Sequence, residues 1–185
     1  MNLPEVQPRI STERLVLRPF RLDDAPAVVR LAGDPRVADT TLNIPHPYPD
    51  GAAEQWVSGR AEEYAQGTAV TYAVSDRRTG ELVGAIGLHL YPRFARAEMG
   101  YWIGVPYWNR GYGTEAARAM LRFGFETLGL HRIYAAHFAR NPASGRVMEK
   151  VGMRREGVWR QHIRREGGPL EDAVVYGILR SEWRP

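Results

Sequence analysis

The sequence predicts an α+β fold, a mixed and mostly antiparallel twisted sheet flanked by helices. Three observations carry that prediction. Met99, Tyr101, Ile103 and Val105 alternate with period two, as a strand does. After a short glycine turn, Ala117, Met120, Leu121, Gly124, Phe125 and Leu128 recur at spacings of three and four, as one helix face does. Two segment pairs read as antiparallel: Thr71–Ser75 with Leu82–His89 around Asp76-Arg77-Arg78-Thr79-Gly80, and 155–163 with Ala173–Leu179 around Glu166-Gly167-Gly168-Pro169.

The remaining elements follow in chain order. Leu15-Val16-Leu17-Arg18 reads as a strand, and Asp23 to Gly33 as a helix with acids in its first turn, where the helix dipole favours them. The stretch Asn43-Ile44-Pro45-His46-Pro47-Tyr48-Pro49-Asp50 is too proline-dense for a helix or a central strand, and a helix from about Ala52 to Ala65 follows it. The helix after the glycine turn stops at Gly129, and a strand runs through Ile133 to Phe138. A short helix from Pro142 to about Val151 has Asn141 as a candidate cap, proline at its first position and Gly152 as its stop.

Length and composition set bounds. The 185 residues suit a single domain spanning 1–185, with no internal repeat. No run approaches the roughly eighteen apolar residues of a membrane span, and the start lacks the layout of a signal peptide, so a cytoplasmic protein is expected. With no cysteine there is no disulfide frame and no acyl-cysteine intermediate, and no His, Asp and Glu set has metal-ligand spacing. The net charge is +4 and Lys150 is the only lysine. The arginines are scattered without interleaved aromatics, so direct nucleic-acid binding is not expected.

The joint between strand and helix, Pro106 to Thr114, concentrates the chemistry. Gly111 and Gly113 lack a Cβ, so the backbone can turn its N–H groups inward toward an anion, and the first turn of the helix favours negative charge. Arg110 adds a cation. A Walker loop would need a Lys-Ser/Thr pair after its second glycine, whereas Thr114-Glu115 follows here. Gly111-Tyr112-Gly113-Thr114-Glu115-Ala116 fits a dinucleotide fingerprint, but the next strand, His131 to Phe138, has no acid for a ribose. A third candidate is an acetyl-CoA pyrophosphate loop.

Four blocks resemble the GNAT superfamily of N-acetyltransferases, within it the RimJ/RimL-like branch of ribosomal-protein-alanine N-acetyltransferases. They are Gly-Tyr-Trp-Ile at 100–103, Tyr-Trp-Asn-Arg-Gly-Tyr-Gly-Thr-Glu-Ala at 107–116, Asn-Pro-Ala-Ser at 141–144 and Glu-Lys-Val-Gly-Met at 149–153. The similarity runs from Thr12-Glu13-Arg14-Leu15 to about Leu179. It implies a GNAT-like fold with the strand-turn-helix acetyl-CoA site at its centre and transfer of acetyl to a primary amine. It also implies that the backbone of Trp102, Ile103, Gly104 and Val105 pairs with the pantetheine arm, while N–H groups of Arg110, Gly111, Tyr112, Gly113 and Thr114 hold the pyrophosphate. The family motif often has Gln or Arg where Trp108 stands, so that side-chain contact is not expected.

Acetyl transfer needs a held thioester, a neutral amine, a stabiliser for the oxyanion and help for the departing thiolate. Many relatives donate a proton from a tyrosine at the position of Met148, which has none; the branch resemblance makes Ser144 the donor instead, although its hydroxyl could simply satisfy a helix-start N–H. Asn141 could bond the pantetheine amide, cap its own helix, or both. Glu98 could be the general base or a solvated carboxylate paired with a nearby arginine. Asp39, His46, Tyr48 and Trp56 are candidate acceptor-site residues, because the family places its acceptor groove near the first two helices; the alternative is a loop that binds nothing.

The leading acceptor is the N-terminal α-amine of a protein such as a ribosomal protein, with a small amine (polyamine, amino acid or antibiotic) as the alternative. A non-catalytic acyl-CoA-binding module and a basic RNA-binding protein are readings of other classes. The chain is expected to be a monomer or homodimer.

Overall fold

The computed structural model describes residues 1–165 and 168–185, so Glu166 and Gly167 of the expected final turn lie outside the described residues. Eight strands form one sheet: β1 (Ile10–Ser11), β2 (Leu15–Arg18), β3 (Ala69–Asp76), β4 (Leu82–Tyr91), β5 (Arg96–Ile103), β6 (Arg132–Phe138), β7 (Arg154–Arg164) and β8 (Leu170–Leu179). Their order is β1-β2-β3-β4-β5-β6-β8-β7. Every pairing is antiparallel except that between β5 and β6.

Among the described residues there are five α-helices, α1 (Ala25–Ala32), α2 (Pro35–Ala38), α3 (Ala52–Ala65), α4 (Tyr112–Arg122) and α5 (Pro142–Lys150); α2 packs on α1 and the other four pack on the sheet. Strand alternation divides the core between two faces. Ala97, Met99, Tyr101 and Ile103 of β5 join the larger cluster with Ala116, Ala117 and Met120 of α4 and Met148 of α5. Trp102 points the other way, into a cluster with Val28 and Leu31 of α1 and Ala53 and Val57 of α3. Among the described residues, no helix is long and apolar enough to cross a membrane.

Three differences from the sequence reading have local causes. The helix after the glycine turn ends its α-geometry at Arg122 and continues as a π-turn over Phe123–Thr127, which keeps both Phe123 and Phe125 buried before Gly129 reverses the chain at φ 70°. The last two strands pair as expected, but β8 inserts between β6 and β7, leaving β7 as an exposed edge. Asp24 does not serve only the helix dipole: it is buried, accepts two hydrogen bonds from the Arg18 guanidinium at 2.7 and 2.8 Å, and accepts another from the Arg21 N–H.

The Arg18–Asp24 pair ties β2 to α1, and α1 in turn braces the end of β5. Burial alone would raise the Asp24 carboxyl, but the bonds from Arg18 and Arg21 outweigh it and hold the group below its ordinary 3.8. Its contribution is therefore present above the unfolded value and is lost as pH falls through the lowered folded value. Asp24→Asn leaves the Arg18 charge buried without its counter-ion and is expected to cost about 3 kcal/mol in urea unfolding at pH 7. A loss below about 0.5 kcal/mol would remove the pair from the account of stability.

Candidate active site

β5 and β6 run side by side for three register pairs, Arg96 with Arg132, Ala97 with Ile133 and Glu98 with Tyr134. Beyond Glu98 they part. The rest of β5 stays on β4 as far as Ile103 against Gly84, and the rest of β6 stays on β8 as far as Phe138 against Ala173. Gly104 N–H donates to the Val83 carbonyl at 2.9 Å, so by ladder alternation Trp102 also faces β4, while the backbone polar groups of Tyr101 and Ile103 face the gap. The indole N–H of Trp108 donates to the Ile103 carbonyl at 2.6 Å, satisfying one of them. Trp108 is therefore a donor, but to its own chain. Gly104 lies close against α1: a Cβ there would be 2.8 Å from Leu31 Cδ2 and 3.3 Å from Leu31 Cβ, so Leu31 would have to shift.

The glycine turn lies at the open end of β5. Gly111 sits before α4 at φ 79°, in the left-handed region that glycine tolerates best, and no side chain caps the helix. Among the described residues, the N–H groups of Asn109 through Thr114 have no acceptor. Arg110 lies over the Tyr107 ring at 5.9 Å and forms no ion pair among the described residues. An unpartnered row of donors at a helix start, with a cation beside it, fits a diphosphate.

What holds that turn was not legible in the sequence. Glu115 accepts from the Thr12 hydroxyl at 2.6 Å, the Arg14 N–H at 2.8 Å and the Arg14 guanidinium at 2.7 Å, and Arg14 also donates to the Arg110 carbonyl at 2.8 Å. Burial would raise the Glu115 carboxyl, yet these donors hold it below its ordinary value. The Thr12–Leu15 block and the 107–116 block are thus one clasp. Tyr112 is buried beneath it and donates to Asp76 at 3.0 Å.

Ser144, in the first turn of α5, meets β5 across the gap. Its Oγ lies 2.7 Å from the Tyr101 hydroxyl, which is also 3.0 Å from the Ser144 carbonyl. Burial pushes the Tyr101 phenol up to about 12 against the opposing bond to Ser144, so it keeps its proton at neutral pH. Alternation and the Gly-Tyr-Trp-Ile block place Tyr101 on the strand; its hydroxyl acquires a partner from a segment 43 residues away. Asn141 precedes α5 but its side chain makes no cap bond, which leaves the amide available. Met148 is buried in the core.

Glu98 lies on the opposite sheet face from Ser144 and Tyr101, at the vertex of the gap, and accepts from the Tyr134 hydroxyl at 3.2 Å. It forms no ion pair with an arginine among the described residues. The gap is therefore flanked by a hydroxyl pair on the α4/α5 face and by a carboxylate on the other.

Of the four candidate acceptor-site residues, Tyr48 and Trp56 come together in the cluster that Trp102 enters, while Asp39 and His46 make polar contacts elsewhere. Asp39 pairs with Arg140 at 2.7 Å and Arg165 at 3.2 Å, and Arg140 also holds Glu171, so Asp39 ties the segment after α2 to the β6–α5 turn beside Asn141. His46 Nδ1 lies 3.0 Å from the Gly33 carbonyl. Tyr48 packs against Gly33 in the smaller core cluster, and Trp56 packs there too, edge-on to Phe20 at 4.9 Å with Arg60 over its ring at 4.8 Å. Among the described residues no cluster of His, Asp and Glu could hold a metal.

Residues 14–154 match the Acetyltransferase (GNAT) domain family. The chain belongs to this family. A Bacillus subtilis relative, the uncharacterized N-acetyltransferase YoaA, is 33% identical over 94% of this chain and 97% of its own. The Escherichia coli [ribosomal protein uS5]-alanine N-acetyltransferase is 28% identical over 100% of this chain and 96% of its own. The structure of Mycobacterium smegmatis RimJ in complex with CoA-disulfide superposes with a TM-score of 0.82 at 25% identity, covering 92% of this chain and 84% of that one. As a GNAT N-acetyltransferase, the protein uses acetyl-CoA, and the strand gap and open helix start suit its arm and diphosphate.

The clasp yields a prediction for this GNAT site. Arg14→Ala removes both the ion pair to Glu115 and the bond to the Arg110 carbonyl, so the donor row loses its brace. Acetyl-CoA affinity measured by calorimetry should fall about tenfold, as expected for the loss of a charge-assisted bond. An unchanged Kd would show that the turn holds its shape without Arg14.

Proposed function

We propose that the chain, working as a single domain, acetylates the N-terminal α-amine of a protein. Charge on the acceptor side carries this reading. On the sheet face where Glu98 lies, Arg96 and Arg132 precede it at the β5–β6 junction, and Glu156 is the one carboxylate paired with Arg132 among the described residues. With Arg132 paired to Glu156, what remains there is Arg96 beside the single carboxylate of Glu98, so a polyamine would find no acidic pocket for its several cations, whereas a peptide brings a single charge that vanishes when its amine loses a proton. The name of the E. coli relative, an alanine acetyltransferase of ribosomal protein uS5, supports the same reading.

The acceptor also fits a site with one carboxylate. A protein α-amine of pKa about 7.7–8.0 is roughly one-tenth neutral at pH 7, whereas a lysine at about 10.4 is neutral in only a few molecules per ten thousand. Glu98 then needs only to carry one proton away, directly or through water, and Tyr134 holds its carboxylate in place.

Acetyl-CoA supplies the activated acetyl group as a thioester. The N–H groups of Arg110 to Thr114 and the Arg110 guanidinium would hold its diphosphate; the Trp102 to Val105 segment, with the gap-facing Tyr101, would hold its arm, joined by the Asn141 amide. The one Tyr101 proton has both the Ser144 carbonyl and Oγ within reach; when it is donated to Oγ, the serine proton is free to bond the departing sulfur. The buried phenol that many relatives bring from α5 is replaced, in this reading, by one from β5 acting through the serine.

Two tests follow. Given acetyl-CoA and a panel of peptides, the protein should release free thiol with open N-termini and not with N-terminally blocked, lysine-containing peptides; faster turnover of blocked peptides or of a polyamine would contradict the reading. Ser144→Ala should lower kcat roughly a hundredfold and Tyr101→Phe roughly tenfold, with acetyl-CoA affinity little changed. Loss of affinity equal to the loss of kcat would make the pair a binding element.

A further inference from the structure

The first β5 residue, Arg96, shares a sheet face with Glu98 and lies roughly 6–7 Å before it along the strand. Its guanidinium is surrounded by aromatic rings, 5.0 Å from the centroid of Tyr91, 5.2 Å from Phe94 and 5.7 Å from Tyr134. Rings fix the plane of a guanidinium without neutralising it. Its Nε is buried without a hydrogen-bond partner, and among the described residues no carboxylate lies within ion-pair distance of it. The neighbouring donors are already committed: Arg132 to Glu156, and Tyr134 to Glu98. A cavity of about 290 Å³ opens beside Arg96, lined also by Arg132, Tyr134, Glu156, Trp159 and Val175.

We infer that Arg96 binds a carboxylate of the acceptor, carried by the second or third residue of the peptide whose N-terminal amine reaches Glu98. This rests on the N-terminal acceptor reading and narrows it to a substrate class. An oriented, unpaired guanidinium offers two parallel donors that match a carboxylate. The separation decides which carboxylate. One extended residue spans about 3.3–3.6 Å, so with the amine at Glu98 an anion at Arg96 lies about two residues along the chain. The α-carboxylate of a free amino acid, attached to the same carbon as the amine, falls short. Trp159 and Val175 give the intervening residue an apolar wall.

The test compares synthetic peptides that differ only by Asp against Asn at the second or third position, with the free amino acid of the first residue as a further acceptor. Wild-type protein should favour the Asp peptide roughly tenfold to a hundredfold in kcat/KM, mainly through KM, and should turn over the free amino acid poorly. In Arg96→Gln the Asp-to-Asn ratio should fall to about one, and Arg96→Lys, which keeps the charge but not the fork, should restore part of it. Calorimetric binding of acetyl-CoA to each variant reports whether the fold is intact. Equal wild-type rates on Asp and Asn peptides overturn the inference while leaving the N-terminal reading standing, as does a preference that survives in Arg96→Gln. Turnover of the free amino acid above all peptides overturns both.

Discussion

The site depends on the separation of two parallel strands. β5 and β6 are each held on their outer side, β5 by β4 and β6 by β8, and those antiparallel ladders continue after the three register pairs between β5 and β6 have ended. Neither strand can close the gap without breaking its other ladder. An open strand edge inside a sheet leaves backbone donors and acceptors without partners, which a folded protein does not tolerate unless something supplies them. Trp108 supplies one bond from within the chain. A ligand that carries amides along its length suits the remainder.

The other parts are arranged around that gap. The open α4 start lies beyond the end of β5, clasped by Arg14 and Glu115. Ser144 and Tyr101 meet across one face, while Glu98 and Arg96 occupy the other. The hydroxyl pair and the carboxylate–guanidinium pair are thus separated by the sheet itself. The clasp and the Arg18–Asp24 pair connect this arrangement to β2, and through Leu31 to Gly104 at the end of β5.

Much of this was legible in the sequence because it rests on local rules. Alternation marked β5, a three-and-four spacing marked α4, and two glycines marked the turn between them. The contributions of Tyr101, Arg14 and Arg96 were not legible, since each depends on a residue brought from elsewhere. Tyr101 alternates as a core residue, and only the docking of α5 gives its hydroxyl a partner; the Arg14–Glu115 contact spans 101 positions. Nothing local distinguishes Arg96 from any strand arginine; only the fold surrounds it with three rings and leaves it, among the described residues, without an ion-pair partner. The neighbours of His46, Tyr48 and Trp56 are likewise set by the fold: His46 meets the Gly33 carbonyl, while Tyr48 and Trp56 pack in the smaller core cluster that Trp102 also enters.

Amide hydrogen exchange with and without acetyl-CoA tests the central claim most directly. If the gap edge and the helix start receive the cofactor, the N–H groups of Tyr101, Ile103 and Arg110 through Thr114 should each exchange at least about tenfold more slowly in the complex, while those of β7 keep their rates. Unchanged exchange at Tyr101 and Ile103 in a saturated complex would contradict the account.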